Sequence, residues 1–132
     1  MNDINKLELL AKKVSKNAYA PYSGYKLGVS IKGIDGNLYS GCNVENAAFP
    51  EGTCAEAGAI AEMVKNGCYE IKEVFIFALG KEMPSPCGGC RQKISEFSSP
   101  DVKITFSNFE GLTHTMKLVD LFPMAFNLKK KK

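Results

Sequence analysis

The chain has 132 residues, of which 45% are apolar and 10% aromatic, and its formal net charge is +3. This length suits one domain with one hydrophobic core, and the apolar content excludes an intrinsically disordered chain. A broad basic face is also excluded, because four of the 17 basic residues are Lys129 to Lys132 and 14 acidic residues balance the rest. We therefore predict one domain over residues 1–128 and a basic tail at 129–132, and the sequence argues against nucleic-acid binding.

The sequence contains no apolar run as long as a membrane span, and its first residues, MNDINKLELLAKK, lack the apolar core of a signal peptide. We therefore predict a cytoplasmic protein without a membrane partner. Because thiols stay reduced in that compartment, the five cysteines indicate metal binding or catalysis more than disulfide bonds.

The first half of the chain predicts a helix, a hairpin and a second helix. Apolar residues at helical spacing indicate a helix over about the first 18 residues. The segments KLGVSIKG and NLYSGCNV are typical of strands, and Asp35-Gly36 between them is a hairpin signal. A second helix is predicted over about Ala55 to Asn66, where Gly67 ends it.

The second half continues with a buried strand in EVFIFALG, a third helix that begins in PCGGCRQKISEF, and a strand in VKITFS. A turn at Asn108 to Gly111 precedes a possible fifth strand and a short helix near Leu118 to Leu121. Strands that alternate with helices indicate an α/β sheet covered on both faces, and the N-terminal hairpin makes that sheet mixed. Both cysteine motifs lie where a loop enters a helix.

Three cysteines lie at these predicted helix entrances: Cys54, and the pair Cys87 and Cys90. A helix N-terminus presents free N–H groups and a partial positive charge, which stabilise a thiolate over a thiol. Thiolates are good zinc ligands, and the two-residue gap between Cys87 and Cys90 lets one metal bind both sulfurs. A Cys-x-x-Cys pair alone also fits a redox pair or half of a structural zinc knuckle.

Cys42 and Cys68 show no ligand spacing, and we interpret them as small buried apolar residues. Three thiolates leave one open position on a tetrahedral zinc ion, which is typical of a catalytic site. We therefore predict one Zn²⁺ per chain, held by Cys54, Cys87 and Cys90.

Glu56, two residues after Cys54, is the candidate catalytic residue. Residues two apart on a helix do not share a face, so Cys54 must lie at the very start, where its side chain turns back to the metal. Glu56 then projects separately, close to the open position. A carboxylate near the metal but not bound to it can take a proton from an activated water and return it. Without the cysteines, a favourable charge in a helix first turn would be the preferred interpretation of Glu56.

The combination of Cys54-Ala55-Glu56 with PCGGCRQ at 86–92 resembles the signature of zinc-dependent deaminases. With NVENAAF upstream, the chain is similar over nearly its whole length to the small homotetrameric cytidine deaminases. The resemblance implies a three-layer α/β/α sandwich around a mixed sheet of about five strands. It also implies hydrolysis of cytidine and 2′-deoxycytidine to uridine and 2′-deoxyuridine with release of ammonia, a step of pyrimidine salvage, by a zinc-activated water with Glu56 as the proton shuttle.

The same resemblance implies residues that hold the nucleoside. Asn43 and Glu45 match the family's ribose-binding pair, and an amide and a carboxylate can bind sugar hydroxyls, although both also fit an exposed strand end. Tyr25 stands where the family usually has Phe against the nucleoside, and it adds a hydroxyl that needs a partner. Phe126 matches an aromatic residue that reaches into a neighbouring subunit's site and stacks on the base, with core packing as the alternative. The implied assembly is a homotetramer with shared sites.

Ala57 departs from the pattern of many cytidine deaminases, which have Arg after the glutamate. Three thiolates on one zinc ion leave a net negative charge, which a nearby cation would offset. Arg91 is the nearest remaining cation in sequence, and we predict that it turns toward the thiolates; packing elsewhere or facing solvent is the alternative. The missing Arg also keeps open a deaminase of a blasticidin S-type nucleoside antibiotic. Two further alternatives are a polynucleotide-editing deaminase and a structural zinc-binding module without enzymatic activity.

Overall fold

The computed structural model describes residues 2–128 and 130, and its central feature is one five-stranded sheet. In chain order the strands are β1 (Leu27–Gly33), β2 (Leu38–Cys42), β3 (Ile71–Ala78), β4 (Ser98–Ser107) and β5 (Thr113–Lys117). They lie in the order β2-β1-β3-β4-β5 across the sheet. Strands β3 and β4 run parallel, whereas the other neighbouring strands are antiparallel. The predicted mixed sheet of about five strands is therefore confirmed.

The helices lie where the sequence predicted them. They are α1 (Asp3–Ser15), α2 (Ala55–Lys65), α3 (Gly88–Glu96) and the short α4 (Leu118–Leu121), with a 3₁₀ turn at Phe49–Glu51. The Asn2 side chain caps α1 by accepting the backbone N–H of Asn5 at 3.0 Å. Gly67, with φ at +83°, follows the C-terminal end of α2, as its position predicted.

Helices cover both faces of the sheet. The alternating side chains of β3 show this arrangement, because they pack in two different cores. Val74 and Ile76 belong to the larger core, which also contains buried residues of α2, α3 and α4. Phe75 and Phe77 face the other way and pack with residues of α1. Each buried aliphatic or aromatic side chain contributes about 1.5–3 kcal/mol relative to exposure. The predicted three-layer α/β/α sandwich is therefore confirmed.

Two strand glycines let helices lie unusually close to the sheet. A Cβ at Gly41 in β2 would lie 2.3 Å from the backbone nitrogen of Ala59 and 2.6 Å from the carbonyl oxygen of Ala55. A Cβ at Gly28 in β1 would lie 2.0 Å from the carbonyl oxygen of Ala11. Any side chain at these positions would push α2 or α1 away. Glycine therefore fixes the position of the α2 N-terminus against the end of β2.

Three smaller predictions concern the two remaining cysteines, a membrane span and the basic tail. Cys68 is buried as predicted, whereas Cys42, at the end of β2, is only partly buried. In the part of the chain that the structure describes, no helix combines the length and apolar character needed to cross a membrane. Of the predicted basic tail, residues 129, 131 and 132 lie outside the described residues, and Lys130 donates to the carbonyl oxygen of Glu96 at 3.0 Å.

Candidate metal centre and active site

The candidate site lies where α2 and α3 begin beside one another. Cys54 is the N-cap residue of α2, Cys87 is the N-cap residue of α3, and Cys90 lies in the first turn of α3. Both N-cap cysteines have extended backbones, with ψ of 152° and 168°, and neither side chain caps its own helix. Their sulfurs are therefore free to face a common ligand.

The three sulfur atoms all lie within 4.8 Å of one another. Tetrahedral zinc with Zn–S bonds of about 2.3 Å requires sulfurs about 3.8 Å apart, which is compatible with this upper limit. Cys90 is only 1% exposed, whereas Cys54 and Cys87 are exposed. The arrangement leaves one side of a bound ion accessible. The structure therefore brings together the three predicted ligands in a geometry that fits zinc.

The charges around these sulfurs also fit a divalent cation. The backbone N–H of Cys90 donates to Cys87 and is the main reason why the pKa of the Cys87 thiol is lowered. Burial raises the pKa of the Cys90 thiol far above its ordinary value, and the neighbouring charges of Glu56, Cys54 and Cys87 raise it further. Three thiolates so close together would repel one another, and a cation between them would offset that repulsion. A zinc ion supplies that charge and matches the preference of zinc for thiolate ligands.

Glu56 lies in the first turn of α2 and is only 4% exposed. Burial raises the pKa of its carboxyl, while its own backbone N–H and the Cys90 side chain oppose the rise. A carboxyl with a raised pKa holds its proton closer to neutral pH, which suits a group that must both take and return a proton. Its position beside the three cysteines is the one that the sequence predicted.

A cavity of about 870 Å³ opens beside these residues. The three cysteines and Glu56 line it, together with the predicted nucleoside-binding residues Tyr25, Asn43 and Glu45. The structure therefore brings together seven of the nine residues that the sequence analysis assigned to the site. Phe126 and Arg91 are the two that do not line it.

Both ends of the Asn43 amide already bind the backbone. Its Oδ1 accepts the N–H of Leu27 at 2.8 Å, and its Nδ2 donates to the carbonyl oxygen of Tyr25 at 2.8 Å. An amide has two donor hydrogens and two acceptor lone pairs, so one of each remains for a ligand. Asn43 therefore holds the segment that carries Tyr25 and keeps half of its hydrogen-bonding capacity.

The Glu45 carboxylate holds the turn that precedes Tyr25. It accepts the backbone N–H groups of Tyr22 at 2.9 Å and Ser23 at 3.2 Å, together with the Ser23 hydroxyl. The Ser23 hydroxyl is the main reason why the pKa of Glu45 is lowered, and the two backbone N–H groups lower it further. Glu45 is therefore an ionised anchor for this turn, with an acceptor position still available.

The Tyr25 hydroxyl makes at most one weak hydrogen bond. The hydroxyl lies 3.5 Å from the carbonyl oxygen of Glu82, which is the long limit of a hydrogen bond. Burial raises the pKa of Tyr25, and the charges of Glu82 and Glu56 raise it further, so the phenol stays neutral. The hydroxyl that distinguishes Tyr25 from Phe is therefore a donor available inside the cavity.

Phe126 and Arg91 lie away from this cavity. The Phe126 side chain is exposed, and its carbonyl oxygen accepts Nε2 of Gln92 at 3.0 Å. Arg91 donates from Nε to the carbonyl oxygen of Pro86 at 2.8 Å and from Nη1 to that of Leu121 at 2.6 Å. These carbonyl contacts replace the predicted turn of Arg91 toward the thiolates. Through these hydrogen bonds, Arg91 links the loop before Cys87 to the end of α4.

Two residues at the site were not singled out from the sequence. Ser23 binds Glu45, and only the fold shows that these residues, 22 positions apart, meet. Lys93 lies in the last turn of α3, and its ammonium lies near Gly89 at the start of that helix. A signal for Lys93 was present, because residues three apart share a helix face and Lys93 follows Cys90 by three positions.

Comparisons with known proteins define the class. Residues 1–106 match the family described as the cytidine and deoxycytidylate deaminase zinc-binding region, and the chain belongs to this family. A cytidine deaminase of Sporosarcina psychrophila is 35% identical over 125 residues, which cover 95% of this chain and 92% of that relative. A cytidine deaminase of Mycoplasma genitalium is 40% identical over 92 residues, 69% of this chain and 70% of the relative.

A solved structure agrees with these relatives. The crystal structure of cytidine deaminase from Burkholderia pseudomallei superposes with a TM-score of 0.87 at 32% identity, over 96% of this chain and all of that one. The family, the zinc-binding region and the cysteine cluster together confirm the predicted zinc cofactor and the predicted class of enzyme.

Proposed function

We propose that this chain hydrolyses cytidine and 2′-deoxycytidine to uridine and 2′-deoxyuridine and releases ammonia. The observation that carries the proposal is the buried Glu56 carboxyl beside three clustered cysteines in one cavity. Relatives with the family's zinc-binding region that match most of the chain are cytidine deaminases, which supports the same reaction here.

Cys54, Cys87 and Cys90 would hold the zinc ion, and Glu56 would move the protons of the reaction. Zinc supplies a Lewis acid that lowers the pKa of a bound water. Glu56 would take one proton from the attacking water at its carboxylate and give it to N3 of the base. As the water oxygen bonds to C4, Glu56 would take the remaining proton of that oxygen and give it to the amino group, and the bond from C4 to the amino nitrogen would break to release ammonia. The raised pKa of Glu56 supports this role, because the carboxyl must hold a proton between the two transfers.

Asn43 and Glu45 would bind the sugar hydroxyls in the same cavity. Each side chain still has an unused hydrogen-bonding group after its contacts to the Tyr22–Leu27 segment. Those contacts fix the orientation of the side chain and therefore the direction of the unused group. A ligand without a sugar would leave these groups unpaired, at about 1–3 kcal/mol for each group. The protein is therefore expected to prefer nucleosides over free cytosine.

A shared site in a homotetramer is the assembly that we propose. Phe126 is 67% exposed and does not line the cavity of its own chain, so its ring is available to a neighbouring subunit.

We also propose a cytoplasmic location, because all five cysteines are free and the metal centre needs reduced thiols. Residues 1–128 act as one domain in this proposal, with 129–132 as an appended tail.

Ammonia release from cytidine by the zinc-loaded protein tests the proposed reaction. We expect ammonia and uridine in equal amounts, a similar result with 2′-deoxycytidine, and much slower release from cytosine. Glu56→Gln is the matched control, since it preserves size and removes the carboxylate. Absence of ammonia release from both nucleosides by zinc-loaded, folded protein would contradict the proposal.

A further inference from the structure

We propose that the Lys93 ammonium offsets the negative charge of the three-cysteine centre and strengthens metal binding there. In this proposal Lys93 is a positioning residue that acts on the sulfurs through its charge. Its effect on metal affinity does not depend on the reaction. Its effect on turnover rests on the proposed function.

Lys93 belongs to the last turn of α3, but its ammonium lies near Gly89 at the start of the same helix. A Cβ at Gly89 would lie 3.7 Å from Lys93 Nζ and 3.9 Å from Cys87 Sγ. The nitrogen and the sulfur are therefore no more than about 8 Å apart, which is within the Debye length at physiological ionic strength. Because residue 89 is glycine, that position places no side chain between them.

The charge of Lys93 is available to the centre. Among the residues that the structure describes, the three ion pairs are Lys12–Glu8, Lys32–Asp3 and Lys130–Glu96, and Lys93 takes part in none of them. Arg91 lies on the same helix, but its guanidinium is directed to carbonyl oxygens of Pro86 and Leu121. Lys93 is therefore the cation of α3 that remains to act on the cysteines.

The effect of Lys93 also reaches the reacting carboxyl. Burial raises the pKa of Glu56, and the Lys93 ammonium is among the groups that oppose this rise. Three thiolates and one zinc ion leave a net negative charge, and the same ammonium would stabilise it. The alternative is that Lys93 only complements the dipole at the C-terminal turn of α3, as Lys65 does in α2.

Zinc affinity separates these two roles. We would measure it by competition with a chromophoric chelator for the unmodified protein, Lys93→Met, Lys93→Arg and the matched control Lys65→Met. Coulomb's law with partial screening predicts that Lys93→Met weakens zinc binding by roughly three- to tenfold. Lys93→Arg keeps the charge and should restore affinity to within about twofold, and Lys65→Met should change it by less than about twofold.

High salt gives a second measurement. The affinity difference between the unmodified protein and Lys93→Met should shrink at about 1 M salt, where the Debye length is about 3 Å. If Lys93→Met does not fold, Lys93→Gln provides the same comparison. Unchanged zinc affinity in Lys93→Met, or equal losses in Lys93→Met and Lys93→Arg, would overturn the proposal. Failure of the unmodified protein to deaminate cytidine would contradict the proposed reaction and leave this zinc comparison intact.

Discussion

Two carboxylates that line the cavity have opposite properties. Glu56 lies in the part formed with the three cysteines, called here the metal end, and Glu45 lies in the part where we propose that the sugar binds, called here the sugar end. At the metal end, Glu56 is buried in a helix first turn and its pKa is raised by burial. At the sugar end, Glu45 binds a hydroxyl and two backbone N–H groups, and its pKa is lowered. The difference shows that one cavity can hold a carboxyl suited to proton transfer and another suited to permanent charge.

The two ends also differ in how they are built. Regular elements position the metal end, since its side chains project from the first turns of α2 and α3. Irregular segments form the sugar end, where Asn43 and Glu45 hold the chain between Tyr22 and Leu27 by hydrogen bonds. We therefore expect substitutions at the metal end to abolish chemistry, and those at the sugar end to change binding and loop order.

Substitutions at the metal end are expected to have the largest effect on activity. Cys87→Ala should lose zinc and activity together, because two thiolates do not hold the ion as three do. Glu56→Gln should keep zinc and lose turnover by about a hundredfold or more, the usual range for a general acid–base group. Metal analysis and single-turnover rates of both purified variants check this. A fully active Glu56→Gln protein would remove Glu56 from the mechanism.

At the sugar end, Glu45→Gln should lower kcat/KM for cytidine by about ten- to a hundredfold and leave the slow rate on cytosine nearly unchanged. Ser23→Ala is the matched control, because it removes a partner of the Glu45 carboxylate but not the carboxylate itself. Steady-state rates on both substrates separate the two roles of Glu45. Equal losses in both variants would show that Glu45 acts only as the loop anchor.

Mixed assemblies test whether the nucleoside-binding cavity is complete in one chain. If Phe126 completes a neighbouring site, mixing Phe126→Ala chains with Glu56→Gln chains creates some sites that contain both native residues. Activity should rise several-fold above the sum of the separate preparations, measured after mixing is verified by mass spectrometry. Verified mixed oligomers without such a rise would count against a shared site.

The smallest expected effect is the pH dependence of stability in the metal-free protein. Glu45 has a lowered pKa, so it stabilises the fold above its ordinary value of 4.5 and loses that contribution as pH falls through the lowered value. Glu56 has a raised pKa, so its contribution is present below 4.5 and is lost as pH rises through the raised value.

Denaturant unfolding at about pH 4 and about pH 7 separates the two carboxylates. Glu45→Gln should cost more stability at the higher pH, whereas Glu56→Gln should gain stability relative to the unmodified protein there. The same sign of change in both variants would contradict the difference between the two ends.

The metal end could be predicted from the sequence because its residues are identified by short spacings along the chain. Cys54, Glu56, Cys87 and Cys90 have spacings that fix where each lies in a helix first turn, and the alternation of helices and strands fixed the layers. The contacts of Ser23 with Glu45 and of Arg91 with Leu121 join residues 22 and 30 positions apart. No spacing rule gives such pairs, so the expected direction of Arg91 was wrong.

The small residues after Glu56 could be explained only with the fold. Gly58 and Ala59 lie against Gly41 of β2, where a Cβ would meet the helix backbone at 2.3 Å. Tight packing of α2 on the sheet accounts for the small side chains at 58 and 59. It does not explain Ala57, for which the structure offers no reason.

The meeting of two helix starts has a consequence for the lifetime of the protein. Cys54 and Cys87 are about 33 residues apart and flank the central strand β3, so a bound zinc ion closes a long loop. A covalent cross-link over such a loop would stabilise the fold by roughly 3–4 kcal/mol. Each tenfold rise in free zinc above the dissociation constant adds about 1.4 kcal/mol. Loss of zinc would therefore raise the unfolded fraction of the protein and with it the rate of proteolysis.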